Sequence, residues 1–276
     1  MLHLALNHMT VARLGFRQLV NLAADLGCVG VEARNDLPQP LFDGMPAAEA
    51  AALVRDRGLR LLALAEVKRF NDWSADKATE ALALMQVARD AGAEAVALIP
   101  RNDGLGLGNG ERQANLRVAL RELAPMLRDH GLKGYVEPLG FAACALRHKG
   151  EAVEVIEALR ATDVLALVHD TFHHHLADDG QGAGPIFPTM TGIVHISGVI
   201  DAVAAPDMTD AHRGLVDRND RLGNAAQLRA LFAAGWDGPV SVEAFSPAVH
   251  AVTDPGAALA GCFEFLRSEL AAIPAT

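Results

Sequence analysis

The segment DAGAEAVALIP, residues 90–100, closes a stretch of helical composition on Gly92 and follows it with a short apolar run that stops at Pro100. Glycine just past a last helical turn is a common C-cap, because it enters the left-handed conformation without a Cβ clash. An apolar run too short for a buried helix and bounded by turn residues reads as a buried strand. The same sign recurs at DLG (Gly27) before CVGVEAR, DRG (Gly58) before LRLLALAEV, DHG (Gly131) before LKGYVEP, and AAG (Gly235) before GPVSVEAF. With LHLALN at the start, VLALVHD and GIVHIS, eight strands are predicted.

Amphipathic helical stretches lie between them. SADKATEALALMQVARDAG (74–92) opens at Ser74 as cap and places Leu82, Met85 and Ala88 near one face. TDPGAALAGCFEFLRSELAAI (253–273) starts with Asp254 as cap and Pro255 at the first helical position. Alternating strands and helices demand parallel pairing through right-handed crossovers. Eight such units within 276 residues predict an α/β fold closed as a (βα)8 TIM barrel, with an open doubly wound sheet as the alternative. No linker or low-complexity tract divides the chain, so one domain spans residues 1–276. GVIDAVAAPDMTDAHRGLVDRNDRLG (198–223) is expected to be a long loop after the seventh strand, of the kind that carries function.

Composition narrows the function. The sequence is 51% hydrophobic and 21% charged, an ordinary globular balance. No apolar run approaches membrane-spanning length, and MLHLALNHMT lacks the parts of a signal peptide, so a soluble cytoplasmic protein without a membrane partner is expected. Cys28, Cys144 and Cys262 are widely spaced without CxxC pairing and suggest neither disulfides nor a cysteine zinc site. A net charge of −10 with no basic cluster argues against nucleic acid. A small-molecule ligand is expected instead. Apolar outer helices are compatible with a homo-oligomer, although no segment marks an interface.

Strands five to eight each deliver one potential metal ligand: Glu137 closes GYVE, Asp170 closes ALVHD, His195 lies in IVHIS and Glu243 ends VSVE. In a barrel of this kind they converge on the C-terminal mouth, where such folds keep their sites. Ser241 and Glu243, two apart, share a strand face. Any one of the four alone reads as a rim carboxylate or a structural histidine, but four at successive strand ends read as a metal site. Three unpaired carboxylates would repel one another, and a cation removes that conflict. Two glutamates, an aspartate and an imidazole suit one divalent ion, Mn²⁺, Mg²⁺, Co²⁺ or Zn²⁺.

Further polar residues end strands two to four. Glu32 and Arg34 in VEARND, Glu66 in LALAEV, and Arg101 with Asn102 in IPRND are candidates for binding substrate hydroxyls, with a Glu32–Arg34 rim salt bridge as an equal alternative. Phe70 and Trp73 are candidates for an apolar wall. NDGLGLGNG (102–110) lacks the Gly-Lys-Ser/Thr ending of a P-loop and the dinucleotide spacing, so it is read as a mouth loop and the substrate as a non-phosphorylated polyol-like compound.

YVEPLG, LVHDTFHHH, VHISG with the later TDAHR, and VSVEAFSP resemble the corresponding segments of the xylose-isomerase-like barrel superfamily, which includes sugar epimerases, hydroxypyruvate isomerases and endonuclease IV. Within it the chain resembles the inosose (2-keto-myo-inositol) isomerases, over almost its whole length. The resemblance implies that Glu137, Asp170, His195 and Glu243 bind one metal ion and that His173 and Arg213 contact substrate oxygens; it assigns His174 and His175 no role, and one or both are expected to be loop or packing residues rather than ligands. GLVDRNDRLGN follows the arginine where related sequences carry a Pro-Gly-x-Gly turn, and NHM ends the first strand where an acidic neighbour would be usual.

An α-hydroxyketone at such a site loses its α-proton to give an enediolate, with Glu137 and Glu243 as the expected acid/base pair. Reprotonation at the former carbonyl carbon moves the ketone, converting 2-keto-myo-inositol to 1-keto-D-chiro-inositol. The same ligands serve a ketohexose 3-epimerase, a hydroxypyruvate-type isomerase or a dehydratase of a cyclic ketone. An endonuclease IV-like nuclease needs further histidine and aspartate ligands, and Glu66 stands where a histidine would be expected. A non-catalytic sugar-binding barrel has no need of two opposed glutamates.

Overall fold

A computed structural model describes residues 2–108, 110–177 and 184–271. All eight predicted strands form: β1 (His3–Asn7), β2 (Gly30–Arg34), β3 (Arg60–Lys68), β4 (Ala95–Ile99), β5 (Lys133–Val136), β6 (Leu165–Asp170), β7 (Thr191–Ile196) and β8 (Pro239–Val242). They pair in parallel in sequence order, and β8 closes on β1 with His3 opposite Pro239 and Leu6 opposite Val242. The helices are α1 (Phe16–Asp25), α2 (Ala47–Asp56), α3 (Ala75–Asp90), α4 (Glu111–His130), α5 (Lys149–Ala158), α6 (Thr171–Ala177), α7 (Asn224–Ala233), α8 (Pro247–His250) and α9 (Pro255–Ala271).

The punctuation works as the sequence predicts. Gly27, Gly58, Gly92, Gly131 and Gly235 all take positive φ, from 66° to 87°, and each hands the chain to the next strand. Ser74 accepts a hydrogen bond from the Lys77 amide, and Asp254 accepts one from Ala257, so both caps satisfy amides that the helices leave unpaired. Leu82 departs from expectation. It is 47% exposed, because α3 buries Ala81, Leu84, Met85 and Ala88, the i, i+3, i+4, i+7 face, and Leu82 lies off that stripe.

Two packed layers result. A large cluster between strands and helices includes Phe16, Leu19, Leu64, Leu98, Leu123 and Phe263, and each fully buried side chain of this size contributes roughly 1.5–3 kcal/mol. A second cluster inside the barrel joins Ala5, Leu62, Ala95, Tyr135, Val168 and Ile193. Tyr135, Val168 and Ile193 stand two residues before Glu137, Asp170 and His195, so strand alternation sends the polar residues inward one layer nearer the mouth.

The stretch after β7 has more order than a plain loop. Gly198 and Gly214 exchange backbone hydrogen bonds of 2.8 and 2.7 Å, and two short 3-10 turns, Ala205–Asp207 and Asp210–His212, lie between them. The approach is so close that a Cβ on Gly198 would stand 2.5 Å from the Leu215 carbonyl oxygen. The bridge ties Arg213 to the end of β7. The three cysteines are buried and free, and burial pushes their thiols up to about 12, 11 and 12 for Cys28, Cys144 and Cys262, which keeps them unreactive. Among the described residues no helix is long and apolar enough to cross a membrane.

Candidate active site

Glu137, Asp170, His195 and Glu243 meet at the C-terminal mouth, all buried, with one ligand atom from each within 4.8 Å of the others. Register brings this about: Asp170 lies opposite His195, and His195 opposite Ser241, two residues before Glu243. The Asp170 carboxylate is further fixed by Oδ1, which accepts from the His173 amide at 2.8 Å as α6 begins.

His195 is oriented from behind. Its Nε2 lies 3.0 Å from Glu32 Oε2, and a carboxylate can only accept, so Nε2 carries the proton. Nδ1 faces the cluster, 3.2 Å from Glu243 Oε2 and 3.8 Å from Glu137 Oε1, and this buried atom makes no well-aligned hydrogen bond. A ring nitrogen facing two carboxylates holds a proton there or gives that place to a divalent ion. Burial alone would lower the basicity of this imidazole, but Glu32 and Glu243 outweigh it and push the pKa well up. The donor set, three carboxylates and one imidazole with its other nitrogen held by a carboxylate, fits a divalent ion.

The two glutamates differ. Glu243 Oε1 accepts from Arg34 Nη1 at 2.8 Å and Asn7 Nδ2 at 3.2 Å, while Oε2 accepts from Arg213 Nη2 at 2.8 Å. Burial would raise this carboxyl, yet His195, Arg213 and Arg34 hold it far below the usual carboxylate range. Glu137 has no such clamp: its neighbours are His195 Nδ1 and His173 Nε2 at 3.8 and 3.9 Å. Arg213 is itself fully buried, joined to Asp170 Oδ2 at 2.6 Å and stacked 4.4 Å from the Phe245 ring centroid.

A cavity of about 400 Å³ opens above the cluster. Glu137, Glu243, Glu66, His173 and Arg213 line it, as do Arg34 and Lys68 at the ends of β2 and β3 and Asp36 just after β2, whereas Asp170 and His195 do not. Two expected substrate contacts are elsewhere. Glu32 does not reach the cavity, because it sits one layer deeper, bonded to His195 and to Asn7 Nδ2. Arg101 turns to the rim, where Asp103 at 2.7 Å and Asp72 at 3.1 Å hold it, and its neighbour Asn102 lines the cavity instead. The Glu32–Arg34 rim pair does not form; Arg34 instead makes two 2.8 Å bonds to Asp36 besides the one to Glu243.

The apolar wall also differs from expectation. Phe70 is fully buried in the core and Trp73 packs against it, whereas Leu139, Phe141 and Phe245 face the cavity. His174 and His175 sit on α6, not in a loop. His174 Nδ1 lies 2.8 Å from Lys149 Nζ, which also meets His169 Nδ1 at 2.8 Å. Lys149, Asn7, Asp36 and Lys68 carry no motif, and only their alternation with core residues marks the last three as inward-facing. Asn109 of the mouth stretch lies outside the described residues.

The family described as xylose isomerase-like TIM barrel matches residues 20–269. No curated protein matches the sequence. Among solved structures, a xylose isomerase domain containing protein from Salmonella typhimurium LT2 is 25% identical, with a TM-score of 0.86 over 98% of this chain and 96% of that one. The IolI protein with a bound zinc atom is 19% identical, with a TM-score of 0.85 over 100% of both chains. An L-ribulose 3-epimerase is 18% identical, with a TM-score of 0.70 over 98% and 95%.

Proposed function

The chain belongs to the xylose isomerase-like TIM barrel family, and from that premise we propose that it is a divalent-metal-dependent isomerase of a cyclic or sugar-like α-hydroxyketone, with 2-keto-myo-inositol as substrate and 1-keto-D-chiro-inositol as product. The observation that carries the reading is the buried His195 Nδ1 facing two carboxylates that line a polar cavity. Glu137, Asp170, His195 and Glu243 would hold the ion. When bound, it supplies Lewis-acid stabilisation of the negative charge that develops on substrate oxygens.

The chain's own groups divide the remaining work. Arg213 and His173 bind substrate oxygens from one side of the cavity, and Phe141 and Phe245 exclude water. Glu137, free of guanidinium contacts, takes the α-proton and returns it to the former carbonyl carbon. Glu243 is the opposed member of the pair, but its donors lower its basicity, so it orients the reacting face and accepts protons poorly. Epimerisation of a ketohexose shares the first step, and the likeness to an L-ribulose 3-epimerase supports it as the second reading.

Proton NMR of the protein with Mg²⁺ or Zn²⁺ and 2-keto-myo-inositol in deuterated water tests the reading. A new inosose that forms only with the metal supports it. No new species with any divalent ion removes the substrate assignment, and turnover of a ketohexose under the same conditions selects the epimerase.

A further inference from the structure

Glu66 lines the same cavity from β3 but stands outside the four-residue cluster. Its backbone is clamped on both sides by one residue: the Glu66 amide donates to Asn35 Oδ1 at 2.8 Å, and its carbonyl accepts from Asn35 Nδ2 at 3.3 Å. Its carboxyl, by contrast, is loosely held. Oε2 lies 3.5 Å from Arg34 Nη2 and Oε1 lies 4.0 Å from Lys68 Nζ, while Arg34 gives its short bonds to Asp36 and Glu243. A residue only 8% exposed, fixed in its backbone and uncommitted at its carboxyl, is a positioned reactive group without a structural task.

Position adds to this. Arg34 touches Glu243 with Nη1 and Glu66 with Nη2, so the two carboxyls flank a single guanidinium. Glu66 therefore faces the substrate space, tied through Arg34 to Glu243, and is not one of the four residues of the cluster. Burial is the main influence on its proton affinity and pushes the pKa up to about 7, with Arg34 and Lys68 opposing and Asp36 and Glu137 adding to the rise. From β4 the cavity surface beside it is Ile99 and Pro100, which bring no charge.

We propose that Glu66 is a catalytic carboxylic acid that gives its proton to the ketone oxygen of the α-hydroxyketone as that oxygen becomes a hydroxyl, and takes up the proton of the neighbouring hydroxyl as that oxygen becomes the new ketone. The step balances. Glu137 moves one proton between the two carbons, Glu66 moves one between the two oxygens, and Glu66 ends protonated as it began. Substrate and product are isomers, and no electrons leave the pair. The assignment rests on the isomerase reading above and adds to it the group that completes the shift.

The test compares two rates in deuterated water with Mg²⁺ and 2-keto-myo-inositol: deuterium entry at the α-carbon of recovered substrate, and ketone migration. In Glu66→Gln, α-exchange falls less than migration, because exchange needs help at the ketone oxygen alone and Glu137 is intact, whereas migration needs a proton moved at both oxygens. Migration falls about 100-fold, the scale of a general-acid contribution. Glu66→Asp, which keeps a carboxylic acid at the position, restores part of the migration that Glu66→Gln loses. Equal loss of both rates in Glu66→Gln, or migration within about twofold of wild type, overturns the assignment, since about 100-fold is expected. A wild type that neither exchanges nor migrates with any divalent ion overturns the isomerase reading itself, an outcome separate from these.

Discussion

His195 joins two carboxylates through opposite ring nitrogens: Nε2 meets Glu32 Oε2 at 3.0 Å, and Nδ1 faces Glu243 Oε2 at 3.2 Å. Glu32 thus fixes which nitrogen is free to coordinate, although it lies below the cavity. A carboxylate behind a ligating imidazole typically accounts for 10–100-fold in metal affinity. Glu32→Gln is expected to weaken Mn²⁺ or Zn²⁺ binding by about that factor with the fold intact. Competition with a chromophoric chelator measures it, and unchanged affinity would show that Glu32 does not orient the ring.

Arg213 supplies a buried positive charge to Asp170 and Glu243 at 2.6 and 2.8 Å. Removing one partner of such a set leaves buried charge uncompensated and costs about 3–5 kcal/mol. Arg213→Met is therefore expected to lower the stability of metal-stripped protein by that order, and a divalent ion should recover part of the loss by neutralising the same carboxylates. Urea unfolding with and without the ion reads both effects.

Lys149 gives the chain a pH signature. It opens α5, is partly buried and donates to His169 and His174; burial pushes its pKa down to about 7, against the attraction of Asp170. An unfolded lysine titrates near 10.4, roughly, so between these values the unfolded chain holds more protons than the folded one. Stability from this group is full above the unfolded value and is lost as pH falls to about 7. The free energy of unfolding should thus rise by up to about 1.4 kcal/mol per pH unit from pH 7 toward 9, and Lys149→Met should remove that component.

The strands and the glycine caps were legible because both are local: a short apolar run after a left-handed glycine is written in adjacent residues, and all eight runs became strands. The convergence of Glu137, Asp170, His195 and Glu243 was legible for the same reason, since a barrel brings successive strand ends to one mouth. What depth a residue takes was not. Glu32 and Arg34 share a strand face, but Glu32 lies opposite Asn7 and one layer below, so it supports His195 while Arg34 reaches Glu243. Arg101 and Asn102 are neighbours in sequence, and only the Asp72 and Asp103 side chains decide which of them turns to the rim. Leu82 missed the core by one helical position, and Lys149 lies in a segment whose partners are 20 and 25 residues away. These depend on contacts that no short window contains.

The central claim is that four strand ends hold one divalent ion. Titration of chelator-stripped protein with Mn²⁺, followed by loss of the free-ion electron paramagnetic resonance signal, tests it without reference to turnover. The account predicts saturation at one ion per chain and loss of that site in Asp170→Asn, whose carboxylate lies inside the cluster. No saturable binding, or binding that Asp170→Asn leaves unchanged, would contradict it.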